Sequence, residues 1–556
     1  MIPSCHPEQL RVWTKDESTN SIAKEFGCSH LLATLLQMRG IEPTETARKT
    51  WLTPDLDVWL NALDLGQDCD KAARIWNSLA PGSSVVVYGD YDVDGIASTT
   101  FMMELALLKK ARVRYYIPHR YNQGYGFHPS VVDSIAKSKS KCDLLVVVDC
   151  GTQNRETAEL AREHGIPVLI FDHHLARGDV ARSDALVNPQ IDGNDLAKRL
   201  CAAGVVWCWA WKKEVANLEW LMQRIDLASL ATIADCVPMS SPLNRAIVRK
   251  GIEAMKRHPR KGLYALMKAM DLELDSLDSD SLAMRIIPCL NAAGRLELAD
   301  LAMNIFFPSI DVAPHVEKLI ALNKKRRDMS AKIIADIESG QEDSNYDHVL
   351  FGEDWSAGVL SSVASQVCTM KDAPVVLCAP AQPPLIRGTL RVPEGVDAEA
   401  ILGFISADLL SWGGHRMAAG FSVTREKWDY VREKLEEILR STEVVSEKED
   451  VLSWNPAELH LESWKDVERI GPFGVGNPYP LFFSPHEGDI HYEKLGKKGN
   501  HIKIFVDGCP LLGFRGEHIV SSDTLPTGWI YKPRTNVWRS VENLQLVLEK
   551  IVTDAA

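Results

Sequence analysis

The sequence predicts an α/β protein. A mostly parallel sheet with helices on both faces leads through a long connecting helix to a second α/β unit and a small C-terminal β-barrel. Three observations predict this. Between residues 76 and 245, short apolar runs alternate with helical stretches (VVVY, RVRYYIP, LLVVVD, PVLIFD, ALVNP), the pattern of parallel strands joined by crossover helices. Acids and histidines recur at the ends of such runs, where open α/β sheets place their ligand crevice. The last hundred residues carry short strands, many turns and the aromatics Trp464, Phe473, Phe482, Phe505 and Phe514.

The stretch richest in chemistry is Val85 to Ser98, VVVYGDYDVDGIAS. Strand-forming Val85 to Tyr88 run into aspartates at alternate positions, Asp90, Asp92 and Asp94, followed by Gly95 and a helix start. In an extended stretch alternate side chains point the same way, so three carboxylates converge on one small volume. Unpaired, they repel and raise one another's pKa values. A divalent cation removes that conflict, and oxygen-rich sites suit Mg²⁺ or Mn²⁺. DxDxDG alone fits a structural or calcium-type turn about equally well, but Ser98 to Met102 offers no acid where an EF-hand needs its Glu. Three further ends join it. Leu144 to Val148 ends in Asp149-Cys150-Gly151-Thr152, Val168 to Phe171 ends in Asp172-His173-His174, and Ile233-Ala234 leads to Asp235. Four together argue for a metal site.

A chain of 556 residues has material for three or four domains with real cores. Its 46% hydrophobic and 25% charged residues are ordinary for a soluble globular protein. No apolar run approaches the roughly 20 residues of a membrane helix. MIPSCHPEQLRVW has neither a basic start nor an apolar core, which argues against export. Twelve cysteines without a CxxC pair argue against zinc ribbons and a disulfide framework; a reduced, cytoplasmic protein is expected. The net charge of −13, from 62 basic and 75 acidic residues, counts mildly against nucleic acid. Metal-bound acids are neutralised, however, and local basic patches matter more than the total.

Residues 1 to about 75 read as an amphipathic helical region, 76–245 as the first α/β domain and 246–340 as a helical connector. The connector ends in a long helix, Val312 to Glu338, with an apolar stripe of Val316, Leu319, Ile320, Ile333, Ile334 and Ile337; KKRR at 324–327 faces solvent. ESGQEDSNYD at 338–347 marks a boundary. The second α/β unit spans 341–440 and carries Gly413-Gly414-His415-Arg416-Met417-Ala418-Ala419-Gly420, whose small residues permit close backbone approach to a ligand. After the acidic STEVVSEKED, residues 452–556 read as the barrel.

On these motifs the chain resembles the DHH phosphoesterase superfamily and, within it, the RecJ family. The resemblance covers nearly the whole chain: GDYDVDG, YIPHRYNQGYGF, VVDCGT, FDHH, VNP at 187–189, ATIADCVPM, NAAGR at 291–295, GGHRMAAG and FGVGNPYP at 473–480. DHH and GGHxxAAG in this order are specific to the superfamily, and IPHR…GYG, NAAGR and FGxGNPxP point to RecJ. The resemblance implies a DHH domain, a DHH-associated domain and an OB-fold around a central groove. It implies a 5′-to-3′ exonuclease specific for single-stranded DNA, acting in repair and recombination as a monomer, with single-strand-binding protein and a helicase as candidate partners. Departures are Cys289 in place of the usual basic residue, Ser356 in place of His, GTLRV (388–392) in place of GSxRS, and Tyr88 where the pyrophosphatase branch has a histidine ligand.

The same resemblance implies phosphodiester hydrolysis with two divalent cations, Mn²⁺ or Mg²⁺, about 3.5–4 Å apart. Asp149 then bridges, Asp92 holds one ion, and Asp94, His173 and Asp235 hold the other; Asp90 is either a ligand or stands behind one. His174 contacts the phosphate and Asp172 orients the histidine pair. Arg120, Arg295 and Arg391 are the phosphate forks, His415 holds the strand, and the barrel stacks bases, with Lys494 to Lys503 as its basic patch. Two other readings stay open. One is a DHH phosphoesterase for short oligonucleotides or small phosphorylated nucleotides, which would need neither the barrel nor the long N-terminal region. The other is a non-catalytic scaffold, a class that loses the acids retained here.

Overall fold

A computed structural model describes residues 2–554 except 17, 120–123, 177, 308–310, 341–345, 445–447, 497–498, 518, 520–524 and 539–540. The chain begins with two short strands, β1 (Ser4–Cys5) and β2 (Leu10–Trp13), and a set of helices. Five strands then build the first sheet: β3 (Ser84–Tyr88), β4 (Arg112–Tyr116), β5 (Leu144–Val148), β6 (Val168–Phe171) and β7 (Ala185–Val187). All are parallel, in the order β4-β3-β5-β6-β7. Strands β3, β5 and β6 are buried at every residue, so their runs are continuously apolar, as in a sheet covered on both faces. Alternate residues feed two cores: Val85, Val87, Val146 and Phe171 on one face, Val86, Tyr88, Val147 and Ile170 on the other.

This strand order reverses between β3 and β5. Open α/β sheets bind ligands outside the carboxyl ends of the strands at such a switch point. The acid run 90–94 follows β3 and Asp149 follows β5, so the order alone brings them face to face. Two helices apolar all round, Val93–Leu108 and Ile225–Ala234, pack against each other in the larger core, as such helices must.

The connecting helix, Ala313–Glu338, has 26 residues, about 39 Å at 1.5 Å each. Val316 and Leu319 lie in the core of the first module, Ile333 in that of the second. The second sheet comprises β8 (Val349–Phe351), β9 (Val375–Pro380), β10 (Leu385–Arg391), β11 (Ser411–His415) and β12 (Ala418–Thr424), ordered β11-β12-β10-β9-β8. The terminal module holds β13 (Glu449–Ser453), β14 (Leu481–Pro485), β15 (Tyr492–Leu495), β16 (His501–Val506), β17 (Cys509–Gly513), β18 (Pro526–Trp538) and β19 (Val541–Thr553). No described helix is long and apolar enough to cross a membrane, and all twelve cysteines are free.

The first 75 residues differ from the helical unit expected. Strand β2 pairs with β13 and β1 with β19, which makes the terminal sheet nine-stranded. Leu31, Leu32, Leu35 and Leu36 lie in one core with Leu452, Trp464, Phe482 and Trp529, whereas Leu56, Leu60, Leu65 and Trp76 belong to the first module. The N-terminal segment is therefore shared between two cores. A chain cut before residue 452 would leave the first group without cover. Residues 449–556 alone are expected to stay unfolded, and fusion to residues 1–54 to restore cooperative melting. Leu35→Ala should cost about 3 kcal/mol, measured by hydrogen exchange of β18 and β19. An isolated fragment as stable as it is in the full chain would show that the terminal module needs no N-terminal cover.

Candidate active site

The acid run is not extended as far as Asp94. The helix begins at Val93, and Asp92 is its N-cap, its Oδ1 accepting the amides of Asp94 (3.0 Å) and Gly95 (3.1 Å). An aspartate before an apolar helix relieves its unpaired amides, and this overrides the period of two. Asp94, in the first turn, is buried. Its oxygens accept the amides of Ala202 (2.7 Å) and Ala203 (2.8 Å), the first residues of the Ala202–Lys212 helix. Two helix N-termini thus point positive ends at the acids. Asp235 also differs from the strand-end reading: Ile233 and Ala234 end the Ile225–Ala234 helix, and Asp235 closes it.

The side chains nevertheless converge. Asp90, Asp92 and Asp149 form one set, Asp94, His173 and Asp235 a second, each with ligand atoms within 4.8 Å of one another. Asp149, at φ +61° after β5, puts Oδ1 3.3 Å from His173 Nε2 and so links the two sets. His173 Nε2 also lies 3.7 Å from Asp94 Oδ2, and Nδ1 lies 3.6 Å from Asp235 Oδ2. Nε2 is buried without a hydrogen bond, as a metal-ligating nitrogen would be before its ion binds. Burial, then the neighbouring His174 charge, hold the His173 imidazole down to about 3, so it is neutral and able to ligate.

Burial and then the Asp92 charge raise Asp94 to about 7, and burial plus the other acids raise Asp149 and Asp235 well above the carboxylate range. Asp172 stands apart. Burial would raise it, but His174 and His173 hold it well below that range. It accepts the amides of Thr152 (3.0 Å), His173 (2.8 Å) and His174 (3.2 Å). His174 Nδ1 lies 2.8 Å from Asp172 Oδ1 and 3.0 Å from the Tyr125 hydroxyl, which donates to the Asp149 carbonyl. Burial lowers the His174 imidazole, but Asp172 and then Asp235 and Asp90 outweigh it and raise it to about 9.

These residues floor a groove of about 980 Å³ between the first and second modules. Its other wall carries Arg391, His415, Arg387 and Trp412, and Arg295 lines the groove from the Ile287–Leu296 helix of the first core. The His415 and His174 rings stack across it with centroids 6.3 Å apart. Arg391 donates from Nε to Ser365 Oγ and from Nη1 to Thr389 Oγ1, both at 3.0 Å, so Thr389 keeps the hydroxyl that the serine of GSxRS would offer. Arg295 Nη1 lies 3.2 Å from Ser361 Oγ. Arg120 falls outside the described residues. Tyr88, at the departure from the pyrophosphatase pattern, donates its hydroxyl to the Gly126 carbonyl at 2.7 Å inside the core.

Residues 84–235 match the model of the DHH family N-terminal domain, 345–441 that of the DHHA1 domain, and 452–550 that of the RecJ OB domain. The chain belongs to the DHH family, in its RecJ branch. It is 29% identical over 505 residues to the single-stranded-DNA-specific exonuclease RecJ of Bacillus subtilis, covering 88% of this chain but 63% of that relative. It is 28% identical to the Escherichia coli protein of the same name, covering 87% of this chain and 90% of that one. The crystal structure of Thermus thermophilus RecJ in complex with Mn²⁺ superposes with a TM-score of 0.81 at 24% identity, over 99% of this chain and 80% of that one. The mixed α/β class with a terminal OB module is the fold of this branch.

Asn291, Asn188 and Tyr125 support the site through hydrogen bonds that the sequence does not announce. Asn291 of NAAGR accepts the Val93 amide at 3.1 Å, and a Cβ on Gly294 would come within 2.4 Å of the Tyr91 carbonyl, so this motif seats a helix directly on the acid turn. Asn188 of VNP donates to Thr152 Oγ1 (2.8 Å) and the His174 carbonyl (2.9 Å). Tyr125 was visible only as part of GYGF.

The acid cluster sets a pH dependence. Between about pH 7.5 and 9, the unfolded chain has lost nearly all the protons of its acids and histidines. The folded, metal-free protein still holds protons on His174 and on raised carboxyls, Asp94 at about 7 and Asp149 and Asp235 above their usual range. The folded state binds more protons, so stability falls as pH rises through this window. Melting after chelation should show that fall, and a saturating divalent cation should flatten it. A metal-free Tm that is flat or rises over the window would contradict the raised pKa values.

Proposed function

We propose that the protein is a metal-dependent exodeoxyribonuclease that hydrolyses single-stranded DNA from its 5′ end. The observation that carries this reading is the pair of three-residue ligand sets linked through Asp149 on the floor of a groove walled by arginines. Two cations suit the donor set of carboxylates and one neutral imidazole. In this reading Asp90, Asp92 and Asp149 hold one, and Asp94, His173 and Asp235 hold the other, with Asp149 common to both. Bound Mn²⁺ or Mg²⁺ would polarise the phosphate and lower the pKa of an attacking water.

The chain's own residues do the rest. Asp172 holds the His174 imidazole by Nδ1, keeps it charged and leaves Nε2–H as a donor to a phosphate oxygen. Arg391, held on the far wall by Ser365 and Thr389, and Arg295, beside the acid turn, offer guanidinium forks to phosphates. His415 closes the groove above His174. On the terminal module His501, Lys503 and Phe505 alternate with buried Ile502, Ile504 and Val506, and exposed Phe514 meets the His501 ring edge-on at 5.7 Å. That face supports a stacking platform for bases, although Lys503 lies 3.4 Å from Glu493 and Lys497 and Lys498 are outside the described residues. Action as a cytoplasmic monomer, with single-strand-binding protein and a helicase as partners, rests on the RecJ resemblance.

The test offers 5′-phosphorylated single-stranded DNA, duplex DNA, a dinucleotide and pyrophosphate in parallel, with Mn²⁺ or Mg²⁺. Mononucleotides released from the 5′ end of the single strand alone are expected. Turnover confined to the dinucleotide or pyrophosphate would replace the exonuclease with a small-substrate phosphoesterase. Asp149→Ala should abolish hydrolysis while leaving metal-free Tm unchanged or raised, because one repelling carboxylate is gone. Arg391→Ala should cost roughly 10- to 100-fold in kcat/KM, from about 1.5–3 kcal/mol per charge-assisted phosphate contact. The loss should be selective for 5′-phosphorylated over 5′-hydroxyl strands; equal losses on both would put the end pocket elsewhere.

A further inference from the structure

The FGVGNPYP run at 473–480 lies in the terminal module, and nothing in the proposed chemistry uses it. It rests on the chain that leaves Asp235. The Met239 amide donates to the Val475 carbonyl at 2.6 Å. A Cβ on Gly474 would come within 2.9 Å of Met239 Cγ, and one on Gly476 within 2.8 Å of Ser240 Oγ. Gly476 also has φ +69°, where glycine is at ease and other residues are strained. The two glycines thus let a turn of one module lie flat against a turn of another.

Both partners of this contact are restrained. Gly474 and Asn477 exchange backbone hydrogen bonds of 2.8 and 3.0 Å. The buried Asn477 donates from Nδ2 to the carbonyls of Ile470 (2.8 Å) and Pro472 (2.9 Å), and its Oδ1 accepts from Arg39 Nη1 at 2.6 Å. Arg249, on the Pro242–Arg257 helix of the first module, donates to the carbonyls of Gly471 and Arg469. Across the contact, Cys236 follows Asp235 at φ +52°, a conformation a cysteine keeps only where its surroundings enforce it. Val237 is set in the core of the first module, Asn244 Nδ2 donates to the Pro238 carbonyl at 3.0 Å, and Arg245 Nη1 donates to the Met239 carbonyl at 2.6 Å. Val475 supplies the restraint from outside that module.

We propose that the Gly474–Asn477 turn is a positioning element for Asp235, pressing on Met239 and Ser240 so that the strained 236–240 turn holds the Asp235 carboxylate 3.6 Å from His173. The terminal module thereby sets the metal affinity of a centre to which it contributes no ligand. This rests on the reading of Asp235 as a metal ligand. Groups that only orient ligands change metal affinity by roughly 10- to 100-fold when lost.

The experiment titrates Mn²⁺ into the full-length, DNA-free protein by calorimetry and follows kcat and KM on a single strand. Gly474→Ala, whose methyl meets Met239 Cγ, should weaken Mn²⁺ binding about tenfold and lower kcat more than it raises KM. Met239→Ala, which empties the same contact, should weaken binding in the same direction. The double variant relieves the clash at 239 but not the backbone strain of an alanine at φ +159°, and should recover part of the lost affinity. Asp235→Asn serves as the reference. If it leaves Mn²⁺ binding unchanged, the metal reading of Asp235 falls. If it weakens binding while folded Gly474→Ala binds Mn²⁺ like the wild type, the positioning role is wrong. Should Gly474→Ala fail to fold, Met239→Ala alone decides, and unchanged Mn²⁺ affinity in it overturns the proposal.

Discussion

Five carboxylates, Asp90, Asp92, Asp94, Asp149 and Asp235, share a small, largely buried volume with a neutral imidazole, and the rest of the structure depends on how that charge is borne. Taking ions out of water costs several kcal/mol each unless something compensates. The fold offers partial compensation from fixed dipoles. Two helix N-termini meet the acids through Asp92 and Asp94, and His174 carries the nearby positive charge that Asp172 anchors. Arg391 stands on the far wall of the groove and Arg295 lines it from the Ile287–Leu296 helix. A cluster this rich in carboxylates, eased by fixed dipoles and one charged imidazole, is poised for divalent ions.

Because the floor and the far wall belong to different modules, the site depends on how those modules meet. The Ala313–Glu338 helix belongs to both cores, and Asn291, Gly294 and Arg295 lie on one short helix that touches the acid turn at one end and the groove at the other. The distance between the ligand sets and the wall that carries Arg391 is therefore fixed by packed helices. Positioning of this kind can contribute as much to rate as any single chemical group.

The sequence carried some of this openly. Strands β3, β5 and β6 are unbroken apolar runs because both their faces are buried, and their ends announce Asp90, Asp149 and Asp172. The connecting helix was legible from its stripe. What failed did so for local reasons. The spacing of Asp90, Asp92 and Asp94 fits a strand, but an aspartate before an apolar run is also a helix cap, and capping prevailed. Ile233-Ala234 is too short an apolar run to tell helix from strand. Tyr125 and Asn188 act through side-chain hydrogen bonds that no periodicity records. Strands β1 and β2 are two and four residues long, and their partners lie at the other end of the chain.

That last pairing fixes an order of events during synthesis. Ser4 and Cys5 register with Ile551 and Val552, and Leu10 to Trp13 with Glu449 to Leu452. The ribosome makes the first partners of each pair more than four hundred residues before the second. The catalytic and DHHA1 modules, whose strands pair within themselves, can close as they emerge, while the opening segment waits with apolar helices uncovered. Contacts this far apart in sequence form slowly, and uncovered apolar surface invites aggregation. The terminal module therefore matures after the other two, when residues 4–13 meet β13 and β19, and until then the leucines of 31–36 wait without their cover.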